Sequence, residues 1–287
     1  MSHQQDISRL LQGHSFIELS ARERAHSLLD PGSSRELAGP FERLYSPWLG
    51  TQGIVAQADD GVVICKGLLD GQPAVIAAIE GGFQGGSLGE VGGAKLACAL
   101  ELAAADNRQG IPTRAVILFE TGGVRLQEAN LGLAAIAEIH AAIADLSRYQ
   151  PVIGIIAGTV GCFGGMSIAA GMCSYLIVTR EARLGLNGPQ VIEQEAGVAE
   201  YDSRDRPFIW SLTGGEQRHA CGLADALLED DSTLIRQQLL HFIASGLPAT
   251  PRHRRSQHYL QRLLAMDSSV QADAASARQL FQSGAKP

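Results

Sequence analysis

Two glycine pairs, each lying between an apolar run and a helix-forming run, constrain this chain more than any other feature. Ala115–Phe119 (AVILF) leads into Gly122-Gly123, and Val152–Ile156 (VIGII) leads toward Gly164-Gly165, which opens the small-residue stretch Met166–Gly171. Short apolar runs rich in Val and Ile read as buried strands, and a strand that turns through glycines into a helix is the repeating unit of α/β folds. Glycine has no Cβ, so another backbone or a ligand atom can approach closely. The first N–H groups of a helix lack intrahelical partners and carry partial positive charge. Two such turns can hold two oxygens of one substrate, which is the arrangement of an oxyanion hole. Tight packing of helix on strand accounts for glycine at the same places, so the pattern leaves both readings open.

The 287 residues, 45% of them hydrophobic, suffice for a large core. A net charge of −7 and a pI near 5.6 offer no basic field for nucleic acid. The apolar runs are too short to span a bilayer. The first residues (MSHQQD) lack the charged-then-apolar order of a secretory signal. The five cysteines are scattered without a Cys-x-x-Cys pair. They read as reduced thiols in a cytoplasmic protein, and their spacing offers no zinc site. Thirty-three glycines would suggest disorder if spread at random, but most alternate with apolar runs between 81 and 188, which fits folded loops with close backbone approach.

Patterning predicts a helix capped by Ser20 with Glu23 three residues on, ended by Leu28–Gly32 (LLDPG). Strands are expected over 53–58, 62–67 and 74–80, with turns at 59–61 and 70–71. The glycine-rich segment 80–93 feeds a helix over 94–105. Strand 114–120, helix 127–146, strand 152–157 and helix 165–172 follow, then strands 175–178 and 183–185. Helices are expected over 189–195, 206–222 and 231–245, with a short strand over 224–228. Residues 1–245 read as one domain, with 1–50 as an N-terminal helical segment. Residues 246–287 read as a linker and C-terminal helical extension.

Several separated segments resemble the carboxyltransferase subunits of acyl-CoA carboxylases and their decarboxylase relatives. They are Ala21–Ser33 (ARER…LLDPGS), Gly85–Glu90 (GGSLGE), Thr121–Glu128 (TGGVRLQE), Gly164-Gly165 and Leu186–Gln194 (LNGPQVIEQ). Each is weak alone; together, in order over about residues 20–230, they are specific. Asp59–Gly67 (DDGVVICKG) and Ala78–Val91 (AIEGGFQGGSLGEV) carry a closer likeness to the beta subunits of biotin-independent malonate decarboxylases. The four-cysteine zinc ribbon usual before the ARER-like segment in bacterial acetyl-CoA carboxylase beta subunits is missing here.

The resemblance implies a crotonase-like superhelix of strand–strand–helix units with helical segments at both ends. It implies a partner gamma subunit of similar fold, an acyl carrier protein subunit and an acyl-transferring subunit, with the active site between the two similar halves. The substrate would be a malonyl group on the carrier's phosphopantetheine or dephospho-CoA arm, with no cofactor bound covalently to this chain. Gly122, Gly123, Gly164 and Gly165 become the expected oxyanion donors. Arg125 either attracts a carboxylate or pairs with Glu128 at i+3. Gly85 and Gly86 would line the path of the arm, and Asn187 and Gly188 would bound the pocket. Glu193 and Glu195 lack any sequence sign of a raised pKa, so the proton donor stays unassigned. No His-x-x-x-His or Gly-x-Ser-x-Gly pattern supports metal or serine chemistry. Arg252–Arg255 (RHRR) is either a patch for an acidic carrier or a solvated linker. The rival functions are a biotin-dependent carboxyltransferase subunit, a non-catalytic scaffold half, and an enoyl-thioester hydratase, which would need a carboxylate pair not evident here.

Overall fold

Alternate residues of each central strand enter two different cores. In a computed structural model, which describes residues 14–51, 53, 61–267, 269 and 273–282, seven strands form one sheet in sequence order. They are β1 (Arg35–Leu37), β2 (Val62–Leu69), β3 (Gln72–Ile79), β4 (Arg114–Phe119), β5 (Val152–Ile156), β6 (Tyr175–Thr179) and β7 (Ala226–Leu228). β1, β2 and β3 pair antiparallel, and β3 through β7 pair parallel. Asp70 and Gly71, both at positive φ, make the tight β2–β3 hairpin.

Ile117, Phe119, Ile156 and Val178 face one core, completed by α3 (Glu90–Arg108), α4 (Asn130–Leu146) and α5 (Gly165–Met172). Val116, Leu118, Ile153, Ile155 and Ile177 face the other, closed by α1 (Ala21–Leu28) and α9 (Ser232–Ser245). Period-two alternation between two buried faces makes these strands continuous apolar runs. The remaining helices are α2 (Pro47–Thr51), α6 (Pro189–Ala196), α7 (Arg206–Thr213), α8 (Gly215–Ala220), α10 (Ser256–Leu264) and α11 (Ala274–Gln282).

A second, minimal layer runs beside the sheet. It consists of isolated bridges Leu88 to Val124, Thr121 to Cys162, Cys162 to Leu184 and Arg183 to Gly214. Each turn of the chain is thus a long strand, a one-residue second strand and a helix. This is the expected strand–strand–helix superhelix with its second strands cut to single pairs, and it places the glycine turns that follow β3, β4 and β5 at the C-terminal edge of the parallel sheet.

The capping box at Ser20 is formed: Glu23 accepts from the Ser20 backbone, and the Ser20 hydroxyl accepts from the Glu23 N–H. Three expectations need correction. The expected strand over 183–185 is only a pair of bridges, because its neighbours are turns. The helix expected over 206–222 breaks at Gly214, where a Cβ would land on the Trp210 carbonyl. The helix expected from 94 starts at Glu90, so Gly92 and Gly93 lie inside α3. A Cβ on Gly93 would land on that of Ala135, so this glycine serves helix–helix approach. The strand expected over 53–58 falls almost wholly outside the described residues.

The segment after 245 returns to the body. Arg252 pairs with Asp225 and donates to the Leu223 and Cys173 carbonyls, and Arg255 also meets Asp225. Those two cations are held by the fold itself, which is neither of the two readings of that cluster.

Candidate functional site

The two glycine pairs meet. Gly123 sits at φ +107°, and a Cβ there would stand 3.0 Å from the Phe163 carbonyl oxygen and 3.2 Å from the Gly164 Cα. Gly164 sits at φ +60°, and its Cβ would stand 3.3 Å from the Gly123 Cα. Both positions need glycine twice over, for conformation and for space. Parallel pairing of β4 with β5 at Phe119–Ile156 brings the two strand ends level. Thr121 then accepts from the Phe163 N–H (3.1 Å) and donates its own N–H to the Gly161 carbonyl (2.7 Å).

The other expected residues gather at the same edge. The Gly122 N–H donates to the Gly85 carbonyl at 2.9 Å. Gly86, at φ +66°, has the Glu120 carbonyl where a Cβ would be. The Gly164 N–H donates to the Leu186 carbonyl at 2.8 Å, which brings the exposed Asn187 and the α6 cap Gly188 beside the second pair.

These bonds change which N–H groups are open. Gly122 and Gly164 spend theirs on backbone carbonyls, and Gly123 donates to the Thr121 hydroxyl at 3.0 Å. Of the four glycines, only Gly165, the first residue of α5, has an N–H without an acceptor among the described residues. Met166, next in the first turn, and Val124, beyond the first pair, are open in the same sense. The bridge to Leu88 explains Val124: its neighbours Gly123 and Arg125 make both bonds to Leu88, so the Val124 N–H points the other way. Val124 N lies 3.8 Å from the position of a Gly164 Cβ. The geometry therefore joins one donor beside the first pair to the helix N-terminus of the second.

Arg125 is fully buried and paired with Glu128 at 2.8 Å, both side chains at 0% exposure. Its Nη2 donates to the Ser87 carbonyl, and its guanidinium covers the Phe83 ring at 5.3 Å. The other Glu128 oxygen accepts the Glu90 N–H at 2.7 Å, giving α3 the N-terminal cap that Gly89 lacks. Arg125 thus orders the loop through the i+3 pair and presents no guanidinium to the site surface. Glu193 is held below the ordinary carboxylate range by the Ser203 hydrogen bonds, the opposite of what a proton donor at neutral pH requires.

Sequence reasoning missed a buried ion pair behind the site. Glu120, 5% exposed, meets Arg24 at 2.9 Å and accepts the Val160 N–H at 2.8 Å. Arg24 also donates to the Phe16 and Ile17 carbonyls. One carboxylate thereby ties α1 to both glycine turns. The signal was a lone acid at the end of an apolar strand, a position where an unpaired charge would be costly. It missed His140 as well, whose Nε2 lies 2.9 Å from the Gly165 carbonyl. Among the described residues no group of three or more His, Cys, Asp or Glu could hold a metal, and no helix is long and apolar enough to cross a membrane.

A carboxyl transferase domain model matches residues 14–268, so the chain belongs to the carboxyl transferase family. It is 40% identical over 237 residues to the malonyl-S-ACP:biotin-protein carboxyltransferase MADC of Malonomonas rubra, covering 79% of this chain and 74% of that protein. It also matches a chain of a Pseudomonas malonate decarboxylase hetero-tetramer solved in complex with malonate. The TM-score is 0.93 at 72% identity, over 96% of this chain and 100% of that one. A chain of the Pseudomonas malonate decarboxylase MdcD-MdcE hetero-dimer matches with a TM-score of 0.74 at 66% identity, covering 87% and 96%.

Proposed function

We propose that this member of the carboxyl transferase family is a malonate decarboxylase subunit that converts a malonyl thioester on a carrier protein to the acetyl thioester and carbon dioxide. One observation carries the mechanism: two glycine turns in van der Waals contact, with the Val124, Gly165 and Met166 N–H groups open beside them. Loss of carbon dioxide from a malonyl thioester leaves the bonding electrons on the α-carbon, conjugated with the thioester carbonyl. Negative charge then grows on that oxygen. Backbone donors already fixed around it stabilise this charge without reorganising, and one such donor contributes roughly 2.7–4 kcal/mol. The enolate takes a proton at carbon and becomes the acetyl thioester. The chain needs no covalent nucleophile for these steps.

Gly122, Gly123 and Gly164 are framework in this reading. Their N–H groups hold the turns, and their missing side chains let the turns touch. Gly85 and Gly86 shape the floor on which a pantetheine-type arm would lie, and Asn187 and Gly188 stand at the rim. Arg125 acts through the loop.

The chain works as one half of a site. Leu126, Leu133, Ile168 and Leu186 are large apolar residues on the segments that form or adjoin the turns, each at least 49% exposed. Exposed apolar residues beside a site mark a protein contact. We assign that contact to a gamma subunit of similar fold, in a complex that also holds the carrier protein with its phosphopantetheine or dephospho-CoA arm and an acyl-transferring subunit. A cytoplasmic setting fits the free, mostly buried cysteines.

A second reading rests on the Malonomonas relative, whose name specifies carboxyl transfer to a biotin protein. The same enolate chemistry serves both. The assembled complex with malonyl-carrier decides between them. Carbon dioxide release that avidin leaves unchanged supports decarboxylation in the site. Release that avidin abolishes, restored by a biotinylated acceptor, supports carboxyl transfer. No turnover of either kind by the assembled complex refutes both.

A further inference from the structure

We infer that His140 is a positioning residue for the oxyanion donors, acting with Ser167 on two consecutive peptide groups. The inference rests on the reading of Gly165 and Met166 as donors. Each N–H belongs to a peptide group whose carbonyl oxygen sits on the preceding residue. The Gly165 N–H shares its peptide with the Gly164 carbonyl, which accepts the Ser167 hydroxyl at 2.7 Å and the Ser167 N–H at 3.0 Å. The Met166 N–H shares its peptide with the Gly165 carbonyl, where the His140 Nε2 lies at 2.9 Å.

A carbonyl only accepts, so Nε2 carries the proton, and the neutral ring is the Nε2–H tautomer. Donors on a peptide oxygen draw electron density from the N–H end and strengthen it as a donor, by about 10–30% per bond. They also fix the peptide plane, which matters more for Gly164, because its left-handed conformation leaves the backbone freedom that a side chain would have removed. His140 comes from α4, across the helix pair from α5, so it pins the start of α5 to a second rigid element. Without it, the first turn of α5 is held by its own residues and by packing against Ile136.

The test uses the assembled complex and malonyl-carrier. His140→Phe keeps a ring and removes the donor, and His140→Gln restores an N–H donor. We expect His140→Phe to lower kcat by about tenfold to thirtyfold, less than the hundredfold or more that losing an oxyanion donor outright costs. KM should stay within about twofold, and His140→Gln should recover most of the loss. The carbonyl stretch of a bound 13C-labelled acetyl-carrier should move toward its free frequency in His140→Phe and return in His140→Gln. If His140→Phe fails to assemble, His140→Ala is read in the same way: a band moved toward the free frequency supports the inference and an unmoved band overturns it.

Gly165→Pro removes one donor. Because any side chain there meets Ile136 Cγ2 at 2.9 Å, it is made with Ile136→Ala. If that double variant loses activity while His140→Phe and its carbonyl band match wild type, the inference on His140 fails and the donor reading survives. If the double variant is fully active, Gly165 is not a donor; if His140→Phe also matches wild type in rate and carbonyl band, the donor reading at the start of α5 and the inference on His140 both fail.

Discussion

Gly164→Ala places one methyl group where the two glycine turns touch, and its effects on stability and on rate should separate. The backbone at φ +60°, ψ −146° suits glycine, so alanine there carries strain of about 1–3 kcal/mol. Such a loss lowers Tm by about 2–12 °C in a domain of this size. The methyl would stand 3.3 Å from the Gly123 Cα and 3.8 Å from Val124 N. It therefore occupies the space in front of one donor, and kcat should fall by about a hundredfold to a thousandfold. Gly154→Ala is the control. Its Cβ would press on Leu176 and Phe119 side chains at 2.9 Å inside the core, away from the site. It should cost about 1–3 kcal/mol by overpacking and leave kcat unchanged. Thermal unfolding of the isolated chain and decarboxylation by the assembled complex measure the two effects. If Gly164→Ala assembles and retains kcat within about threefold of wild type, Val124 is not a donor and the two-turn site is refuted.

Arg24→Ala leaves Glu120 buried without its counter-charge and should destabilise the fold by about 3–5 kcal/mol. Adding Glu120→Gln should recover part of that loss in urea titrations, and strict additivity would mean the pair is uncoupled. Stability should also fall on acidification. Glu36 is lowered by the Arg22 hydrogen bond and Asp30 by the Gly71 N–H, from ordinary values of 4.5 and 3.8. A carboxylate whose folded pKa is depressed contributes its full stability above the unfolded value and loses it as pH falls through the folded one. Unfolding free energies at pH 6 and pH 3 should therefore diverge, and Glu36→Gln should narrow the gap; an unchanged gap would remove Glu36 from the account. Thiol labelling of the folded chain at pH 8 should reach Cys98 alone, the one exposed cysteine. Burial pushes Cys173 up to about 12 and Cys162 well above its ordinary value, so their reaction before unfolding would contradict the packing.

Local patterning was enough for the elements that rest on local physics. Ser20 and Glu23 are three residues apart and close their capping box without help from the rest of the chain. The apolar runs at β4 and β5 became central strands because their composition tolerates burial on both faces. The two glycine pairs were visible because a strand followed by glycines and a helix is a local pattern, and the ordered motifs in the carboxyltransferase resemblance carried family and chemistry.

Hydrogen-bond direction and long-range approach are not local, and there sequence reading stopped. A glycine string cannot say that the Gly122 and Gly164 N–H groups are taken by Gly85 and Leu186, which leaves Val124, Gly165 and Met166 open. Nor can it tell Gly93, inside a helix against Ala135, from the loop glycines just before it. Arg24 and Glu120 are joined only because α1 lies under the end of β4. The sequence by itself determined which segments are strands, which are helices and where backbone must come close. Only the tertiary structure decided which peptide groups remain unpaired at that meeting point, because each N–H makes one strong bond and its partner comes from a distant turn of the chain.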